Sequence, residues 1–271
     1  MSEAPVMSES INDPASSDSP VVELRDVSVW FADGTVALEK INLSVAPGEF
    51  VAIVGPSGCG KSTLLRLVSG LASPSAGELT RRTDDVGYVF QDPTLLPWRS
   101  VRRNVELFCE LRRLPRSRRR ELATEALARV GLTEFANHLP HALSGGMRMR
   151  VALARAMTLR PSLFLFDEPF AALDEITRNR LAEHLQELFT AERFAALFVT
   201  HSVLEAAYLA SRVVVMSPRP AQIVGEVPID LPFPRPPEAR FSAKLTEAAS
   251  QIAELLRRHG PAQLSAPGGQ S

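Results

Sequence analysis

The chain has 271 residues, of which 45% are hydrophobic and 23% charged, fractions that are typical of a globular protein. Its formal net charge of -1 argues against a bulk field for nucleic acid or anionic lipid. Two cysteines, Cys59 and Cys109, do not make a disulfide scaffold, and no apolar run approaches the roughly 20 residues that span a bilayer. We therefore expect a reduced, cytosolic protein whose connection to a membrane comes through a partner.

Composition divides the chain into four stretches. Residues 1–20 are rich in Ser, Pro and acidic residues and lack the basic start and apolar block of a secretory signal, and residues 260–271 are rich in Gly and Pro. Both ends are predicted to be disordered. The main domain is expected at 21–217, and 218–259 is expected to hold a proline-rich extended segment and a final helix. The apolar positions of that helix share one face: Leu245, Ile252, Leu255 and Leu256.

Strand signals follow in chain order. Residues 21–31 mix β-branched and aromatic side chains, Asp33-Gly34 predicts a turn, and alternation over 41–45 predicts a half-buried second strand. Short apolar runs then predict strands buried on both faces of a sheet: Phe50–Val54, 89–90, 163–166, 196–200 and 213–216. This order predicts an α/β fold with a mostly parallel sheet and flanking helices.

Residues 92–159 interrupt this succession of strands and helices, because they carry helical, basic stretches and no strand signal. We interpret them as a helical insertion. The arginines between Arg112 and Arg120 could bind nucleic acid or lipid headgroups. No aromatic side chains interleave with them as stacking platforms, so a solvated helix face is the preferred interpretation.

A glycine-rich loop after the apolar strand Phe50–Val54 fits the pattern G-x-x-x-x-G-K-[ST]. Its residues are Gly55, Pro56, Ser57, Gly58, Cys59, Gly60, Lys61 and Ser62, with Thr63 next in the helix that follows. Backbone N–H groups and the positive helix end favour a bound phosphate. Lys61 adds a charge for the outer phosphates, and Ser62 offers a hydroxyl to Mg²⁺.

This loop predicts binding of a nucleoside triphosphate without choosing among kinase, GTPase and ATPase. Cys59 lies near the helix start, where the pKa of a thiol can fall, which makes a redox role one interpretation. A small residue tolerated in the loop is the preferred interpretation.

Carboxylates follow a second apolar strand. Asp167 is expected to hold Mg²⁺, directly or through water, and Glu168 to polarise the water that attacks the γ-phosphate. The structural alternative is an acidic first turn of the next helix. His201, after the run 196–200, lies at a strand end where open α/β sheets bind ligands, and Ser202 with Glu205 predicts a helix capping box.

A second glycine-rich helix start occurs at Leu143, Ser144, Gly145 and Gly146. It is another potential phosphate site. Either the chain binds two nucleotides, or this helix start completes the nucleotide site of another copy of the chain. The structural alternative is a flexible hinge before a helix.

Together these motifs resemble those of ABC-type ATPases over about 21–216. The signature motif is matched at 143–146, Walker A at 55–62 and Walker B at 163–168. Gln91 matches the glutamine loop, 172–174 the D-loop, and His201 the switch histidine. The resemblance implies a P-loop NTPase core with an antiparallel β portion and an α-helical subdomain at about 92–159.

The resemblance also implies ATP and Mg²⁺ as cofactors and a head-to-tail dimer, or pseudo-dimer, that encloses two ATP molecules. Ser144, Gly145 and Gly146 of one copy would meet the γ-phosphate on the other copy's Walker A loop. Phe31, in preference to Trp30, would stack on adenine, with strand packing as the alternative. Gln91 would contact Mg²⁺ and the attacking water, and Asp174 belongs to the implied nucleotide site.

In such a system the helical subdomain receives a transmembrane permease, and a solute-binding protein acts indirectly. The location implied is peripheral, on the cytoplasmic face of the bacterial inner membrane, with no nucleic acid partner. The segments 58–60, 92–98 and 217–220 resemble the nitrate, sulfonate and taurine importer branch. The alternatives are an ABC-type ATPase of DNA repair or translation and another P-loop enzyme such as a nucleotide kinase.

Two methionines depart from the common family pattern. Met147 and Met149 stand where glutamines are often found after the signature glycines. The second replacement puts in doubt any polar contact from that position to the partner's nucleotide. Since neither change touches Ser144 or the glycines, we expect activity to be retained.

Overall fold

The computed structural model describes residues 19–260. The predicted disordered tails, 1–20 and 260–271, lie outside the described residues except for Ser19, Pro20 and Gly260. None of the helices in the described range is long and apolar enough to cross a bilayer. The elements in chain order are β1 (Val22–Trp30), β2 (Val36–Val45), β3 (Phe50–Val54), α1 (Lys61–Ser69), β4 (Ala76–Arg81), β5 (Val86–Val89), α2 (Val101–Val105), α3 (Leu107–Leu111), α4 (Arg116–Arg129), α5 (Gly145–Met157), β6 (Leu163–Asp167), α6 (Glu175–Glu192), β7 (Ala195–Val199), α7 (Val203–Leu209), β8 (Arg212–Met216), β9 (Ile223–Pro228) and α8 (Ala243–Arg258).

The larger sheet has the strand order β5-β6-β7-β3-β8-β9. Neighbours from β5 to β8 pair in parallel, and β9 pairs antiparallel with β8 at the edge. This confirms the predicted, mostly parallel α/β core. Consecutive parallel strands place their carboxyl ends along one edge of the sheet, which is where ligands bind in such folds.

The central strands are apolar throughout because each face packs against a separate core. In β3, Phe50, Ala52 and Val54 belong to the core beneath the helices α5 to α8. Val51 and Ile53 point to the other core, which also contains Leu64, Leu65 and Val68 of α1. The period of two along a strand therefore explains why these runs show no polar alternation.

A smaller antiparallel sheet, in the order β2-β1-β4, covers the second core. Val22, Leu24, Ile41 and Leu43 are buried against α1 and β3. This sheet confirms the antiparallel portion of the expected fold. Strand β4 was not predicted, because 76–81 is half exposed and has no apolar alternation.

Between residues 92 and 159 the structure has helices α2, α3, α4 and α5 and no strand. In the arginine-rich stretch, Arg112 pairs with Asp85 at 2.7 Å, and Arg118 pairs with Glu121 at 2.8 Å. Both arginines are about half exposed. These pairs agree with a solvated helix face.

The segment after Ser217 is more ordered than a proline-rich extended chain. It contributes the edge strand β9 and then α8, whose Leu245 and Ile252 are fully buried. Between them Arg235, 4% exposed, donates to the carbonyl oxygens of Ala207 and Tyr208 at 2.7 and 2.9 Å. The segment is thereby fixed to α7, and strand β9 is an element that the sequence pattern alone did not indicate.

Candidate functional site

Four loops that carry predicted site residues leave the same edge of the larger sheet. They follow β3, β5, β6 and β7, which are neighbours in the sheet order. The register pairs Ile53 with Val199 and Asp167 with Val199, so these three strands end level with one another. Parallel pairing therefore brings together residues that are far apart in the chain.

The loop after β3 adopts a conformation that only glycine fits well. Gly60 has φ 129°, and a Cβ there would lie 2.8 Å from Leu38 Cδ2. Gly60 precedes α1 and provides no side-chain cap, so the first N–H groups of the helix stay available to an anion. Lys61, 5% exposed, donates to the carbonyl oxygens of Gly55 and Pro56 at 2.8 and 3.0 Å.

The two oxygens of the Asp167 carboxylate have different hydrogen-bond donors. Ser62 Oγ donates to Oδ1 at 2.9 Å, and the Tyr88 hydroxyl donates to Oδ2 at 3.3 Å. Burial, followed by the charge of Asp167, raises the pKa of Tyr88, so the phenol keeps its proton at every physiological pH. Ser62 and Asp167 were predicted from their sequence motifs, whereas Tyr88 was not. A phenol at the end of a buried strand, three residues before Gln91, was the available signal.

Glu168 lies between Lys61 and His201. Its carboxylate is 3.9 Å from Lys61 Nζ and 3.3 Å from His201 Nδ1. The backbone of Glu168 has φ 47°, a left-handed conformation that costs a non-glycine residue of order 1–3 kcal/mol. A hydrogen bond from its N–H to Val199 O at 3.0 Å supports this conformation. Such strain, retained at the end of β6, is typical of functional positions.

The turn that carries His201 is stabilised by hydrogen bonds of the preceding residue, Thr200. Its hydroxyl donates to Glu205 Oε2 at 2.6 Å and accepts from the N–H of Ser202 at 3.0 Å. Glu205 also pairs with Arg178 of α6 at 3.3 Å. Burial raises the pKa of Glu205 despite these contacts. Only half of the predicted capping box forms, because Ser202 caps the N–H of Glu205 while the Glu205 side chain bonds elsewhere.

The second glycine-rich helix start lies at the N-terminus of α5, in the helical insertion. Ser144 is the N-cap, and its Oγ accepts from the N–H of Met147 at 3.3 Å. A Cβ on Gly146 would lie 2.3 Å from Thr177 Cγ2 of α6, and one on Gly145 would lie 3.3 Å from Leu173 Cδ2. No hydrogen bond or ion pair among residues 19–260 joins 144–146 to the Walker A loop of the same chain.

The remaining predicted residues stand apart from the central group. Gln91 is exposed, beyond the end of β5. Trp30, the last residue of β1, is 50% exposed, and Phe31, which follows it in the turn, is 44% exposed, so neither belongs to the core. Asp174 caps α6 by accepting from the N–H of Thr177 at 2.9 Å, and that bond lowers the pKa of its carboxyl.

Two buried side chains that the sequence analysis missed hold the loop after Gln91. Arg155 of α5, 5% exposed, donates to the carbonyl oxygens of Pro93 and Thr94 at 2.8 and 3.0 Å. Asn104 of α2, fully buried, bonds both the N–H and the carbonyl of Leu96, at 2.7 and 3.1 Å. The sequence signal that could have identified Arg155 is its position as the one charged residue among the buried apolar residues 151–157 of α5.

The structure also places the residues of ambiguous role. Cys59 is 2% exposed, and burial raises the pKa of its thiol, which argues against a reactive thiolate. Met149 is 4% exposed and belongs to the core of its own chain, while Met147 packs partly against that core. The side chain of Met149 therefore serves internal packing.

The oxygen atoms of Ser62 and Asp167 suit Mg²⁺ as protein ligands. No group of three or more His, Cys, Asp or Glu side chains in the described part of the chain could cage a metal. Mg²⁺ in phosphate-transfer sites takes one or two protein oxygens and completes its coordination with water and phosphate. One hydroxyl and one carboxylate beside a phosphate-binding loop fit that pattern.

The fold and this edge of the sheet define a P-loop nucleoside triphosphatase. Comparison with known proteins narrows the class. A family model described as ABC transporter matches residues 38–171. A nitrate import ATP-binding protein of Synechococcus elongatus is 45% identical over 212 residues, covering 75% of this chain and 77% of the relative. An aliphatic sulfonates import ATP-binding protein of Pseudomonas syringae pv. tomato is 44% identical over 223 residues, covering 82% and 94%.

A solved structure agrees with these relatives. It is the dimeric, post-hydrolysis state of an ATP-binding cassette bound to ADP and phosphate, with a TM-score of 0.67 and 32% sequence identity. The match covers 78% of this chain and 99% of that one. The chain belongs to the ABC transporter family of ATP-binding proteins. It is an ATP-binding and ATP-hydrolysing cassette, as the motif resemblance predicted.

Proposed function

We propose that this ATPase powers an importer as a peripheral subunit at the cytoplasmic face of a bacterial inner membrane. The observation that carries the proposal is the group formed by Lys61, Ser62, Asp167, Glu168 and His201 at one sheet edge, in a chain of this family. Relatives at 44–45% identity are named for the import of nitrate and of aliphatic sulfonates. A small solute such as nitrate, a sulfonate, taurine or a similar compound is the proposed substrate class.

The Walker A loop binds the phosphates of ATP. N–H groups at the start of α1 and the ammonium of Lys61 contact their oxygens, with Gly55, Pro56, Ser57, Gly58, Cys59, Gly60 and Thr63 shaping the loop. Mg²⁺, held by Ser62 and Asp167 and approached by Gln91, would supply charge neutralisation between the outer phosphates. Phe31 stacks on the adenine from the exposed turn after β1.

Glu168 is the proposed general base. Its carboxylate takes a proton from the water that attacks the γ-phosphate, an effect typically worth about 10²–10⁴ in rate. His201, 3.3 Å from Glu168 Oε2, holds the base in position and contacts the γ-phosphate. The strained backbone of Glu168 and the Thr200–Glu205 contact pre-organise both side chains.

The ATP site is completed by a second copy of the chain. Ser144, Gly145 and Gly146 of the partner copy reach the γ-phosphate, and Asp174 lies next to the shared site. Support comes from the exposure of Ser144 at the start of α5 and from the dimeric state of the similar cassette. Because each site needs both chains, ATP binding closes the dimer and hydrolysis reopens it.

The helical insertion is the proposed docking surface for a transmembrane permease, with a solute-binding protein acting on the far side. Trp98, which follows the loop of Gln91, is 73% exposed, and Leu111 is 71% exposed. Arg155 and Asn104 fix this loop to α5 and α2. A displacement of Trp98 by the permease is therefore transmitted to α5, the helix that begins at the signature motif. The alternative, an ATPase of DNA repair or translation, has no comparable support from the relatives.

Two variants test the catalytic proposal. Glu168→Gln should retain ATP binding, lose steady-state hydrolysis and accumulate as an ATP-bound dimer in size-exclusion chromatography. Ser144→Arg should bind ATP as a monomer and fail to hydrolyse it. Normal turnover by Glu168→Gln would exclude Glu168 as the base, and normal turnover by monomeric Ser144→Arg would exclude the shared site.

A pull-down from detergent-solubilised membranes tests the transport proposal. The wild-type chain should recover a multi-span permease, and Trp98→Ala should recover less of it at unchanged ATPase activity of the isolated chain. Recovery of nucleic acid without a permease would refute transport. Uptake of labelled nitrate and of labelled taurine, in cells with and without the chain, then distinguishes the substrates.

A further inference from the structure

Tyr88 lies where β5 meets the end of β6. The register pairs Tyr88 with Leu165, two residues before Asp167, so both side chains reach the carboxyl edge of the sheet. The Tyr88 hydroxyl is 3.3 Å from Asp167 Oδ2, while Ser62 Oγ is 2.9 Å from Oδ1. The carboxylate is therefore held at both oxygens, one from α1 and one from β5.

The ring and the hydroxyl of Tyr88 have separate surroundings. The ring packs against the core shared with α1 and stacks on Phe90 with 4.1 Å between centroids. The hydroxyl contributes nothing to that packing, and its hydrogen bond in the described part of the chain goes to Asp167. A phenylalanine would serve the packing equally well, so the hydroxyl calls for a different explanation.

We propose that Tyr88 is a positioning residue that orients the Asp167 carboxylate for the metal ion of Mg·ATP and so sets the affinity of the site for that metal. The inference rests on the proposed role of Asp167. Groups that hydrogen-bond to metal ligands fix their orientation, and their loss typically weakens metal binding about 10- to 100-fold. Since 3.3 Å is long for an O–H···O bond, the lower end of that range is expected.

The position of Tyr88 also joins the metal carboxylate to the glutamine loop. Its ring stacks on Phe90, the residue immediately before Gln91. A shift of the Asp167 carboxylate is thus transmitted through one side chain to the start of the segment that leads to the helical insertion. Removing the ring should therefore affect more than removing the hydroxyl alone.

The test compares Tyr88→Phe with Tyr208→Phe in the full-length chain. Tyr88 and Tyr208 are the two tyrosines of the sequence, and the Tyr208 hydroxyl donates to Arg235 O at 2.8 Å, in the C-terminal segment. Both variants lose one phenol oxygen, so they are matched in chemistry and differ in location. Binding of Mn²⁺ in the presence of a non-hydrolysable ATP analogue is followed by electron paramagnetic resonance. Binding of fluorescent ATP in EDTA reports metal-free affinity.

Tyr88→Phe should weaken Mn²⁺ binding about 10-fold with unchanged metal-free ATP affinity, and Tyr208→Phe should leave both unchanged. The Mg²⁺ concentration for half-maximal ATPase activity should rise in parallel, with the maximal rate largely retained. Tyr88→Leu should bind Mn²⁺ as weakly as Tyr88→Phe and also lower the maximal rate.

Wild-type Mn²⁺ affinity in Tyr88→Phe, or an equal loss of metal-free ATP affinity, would overturn the inference. Asp167→Asn separates this failure from failure of the proposed site. If Asp167→Asn abolishes Mn²⁺ binding while Tyr88→Phe does not, only the role of Tyr88 is wrong. If Asp167→Asn binds Mn²⁺ normally, the metal assignment itself is wrong.

Discussion

Gly146 is required by packing inside the chain, apart from any contact with a partner's nucleotide. The perturbation that shows this is Gly146→Ala. The added Cβ would lie 2.3 Å from Thr177 Cγ2, whereas carbon atoms in contact are normally about 3.5–4.0 Å apart. The overlap must be relieved by rotating Thr177 or by separating α5 from α6.

Overpacking of this kind costs about 1–3 kcal/mol, and alanine in place of glycine within a helix recovers about 1 kcal/mol. Gly146→Ala should therefore be destabilised by up to about 2 kcal/mol. Gly145→Ala is the matched control in the same helical turn, because its Cβ would lie 3.3 Å from Leu173 Cδ2, and a shift of a few tenths of an ångström at the end of that flexible side chain relieves the contact. It should be as stable as the wild type or slightly more stable.

The assay is urea unfolding of the purified chain at one temperature, read by circular dichroism. Thr177→Ser removes the clashing methyl group, so the double variant Gly146→Ala/Thr177→Ser should recover the lost stability. If its ATPase activity nevertheless stays low, Gly146 is also needed at the shared site. Equal stability of the two alanine variants, or no recovery in the double variant, would refute the steric argument.

Three further outcomes are expected. Asn104→Ala removes a fully buried side chain and leaves the part-buried N–H and carbonyl of Leu96 without their partner, so it should lower stability by about 1–3 kcal/mol in urea unfolding; a loss below about 0.5 kcal/mol would contradict this. Cys59 should react slowly with a thiol reagent in the native chain and rapidly after unfolding, since burial both covers the thiol and raises its pKa; fast native labelling at Cys59 by mass spectrometry would contradict this. Burial raises the pKa of Glu205 above its ordinary 4.5, so the folded chain keeps this proton to a higher pH than the unfolded chain. The stability that the protonated form contributes is full below pH 4.5 and is lost as pH rises through the folded pKa. The stability of Glu205→Gln relative to the wild type should thus increase from pH 4.5 to pH 7, and a constant difference would show that Glu205 is not perturbed.

The sequence was sufficient for the features that depend on local pattern. The central strands were predicted because burial on both faces makes each a short, wholly apolar run, as in Phe50–Val54. Gly70 ends α1 with a left-handed φ of 81°, a conformation that a glycine shortly after an apolar helical run predicts. The phosphate loop needs particular residue types at fixed spacing within eight positions, so its identity is also local.

Strands β4 and β9 were missed for the opposite reason. The stretch 76–81 is half exposed and lacks apolar alternation, and the β-branched residues of 223–228 lie in a proline-rich part of the chain that argues against a strand. Each becomes a strand because a neighbour, β1 or β8, supplies hydrogen-bond partners. Pairing of this kind depends on tertiary context more than on propensity.

The arrangement of the candidate site was likewise decided by the tertiary structure. Sequence motifs indicated Ser62, Asp167, Glu168 and His201 separately. They could not indicate that Tyr88, 79 residues from Asp167, donates a hydrogen bond to the Asp167 carboxylate. The strand order β5-β6-β7-β3 determines which strand ends become neighbours, and this order is a property of the folded sheet. Residue types determine which chemistry a chain can perform, whereas long-range strand pairing determines which of those residues meet.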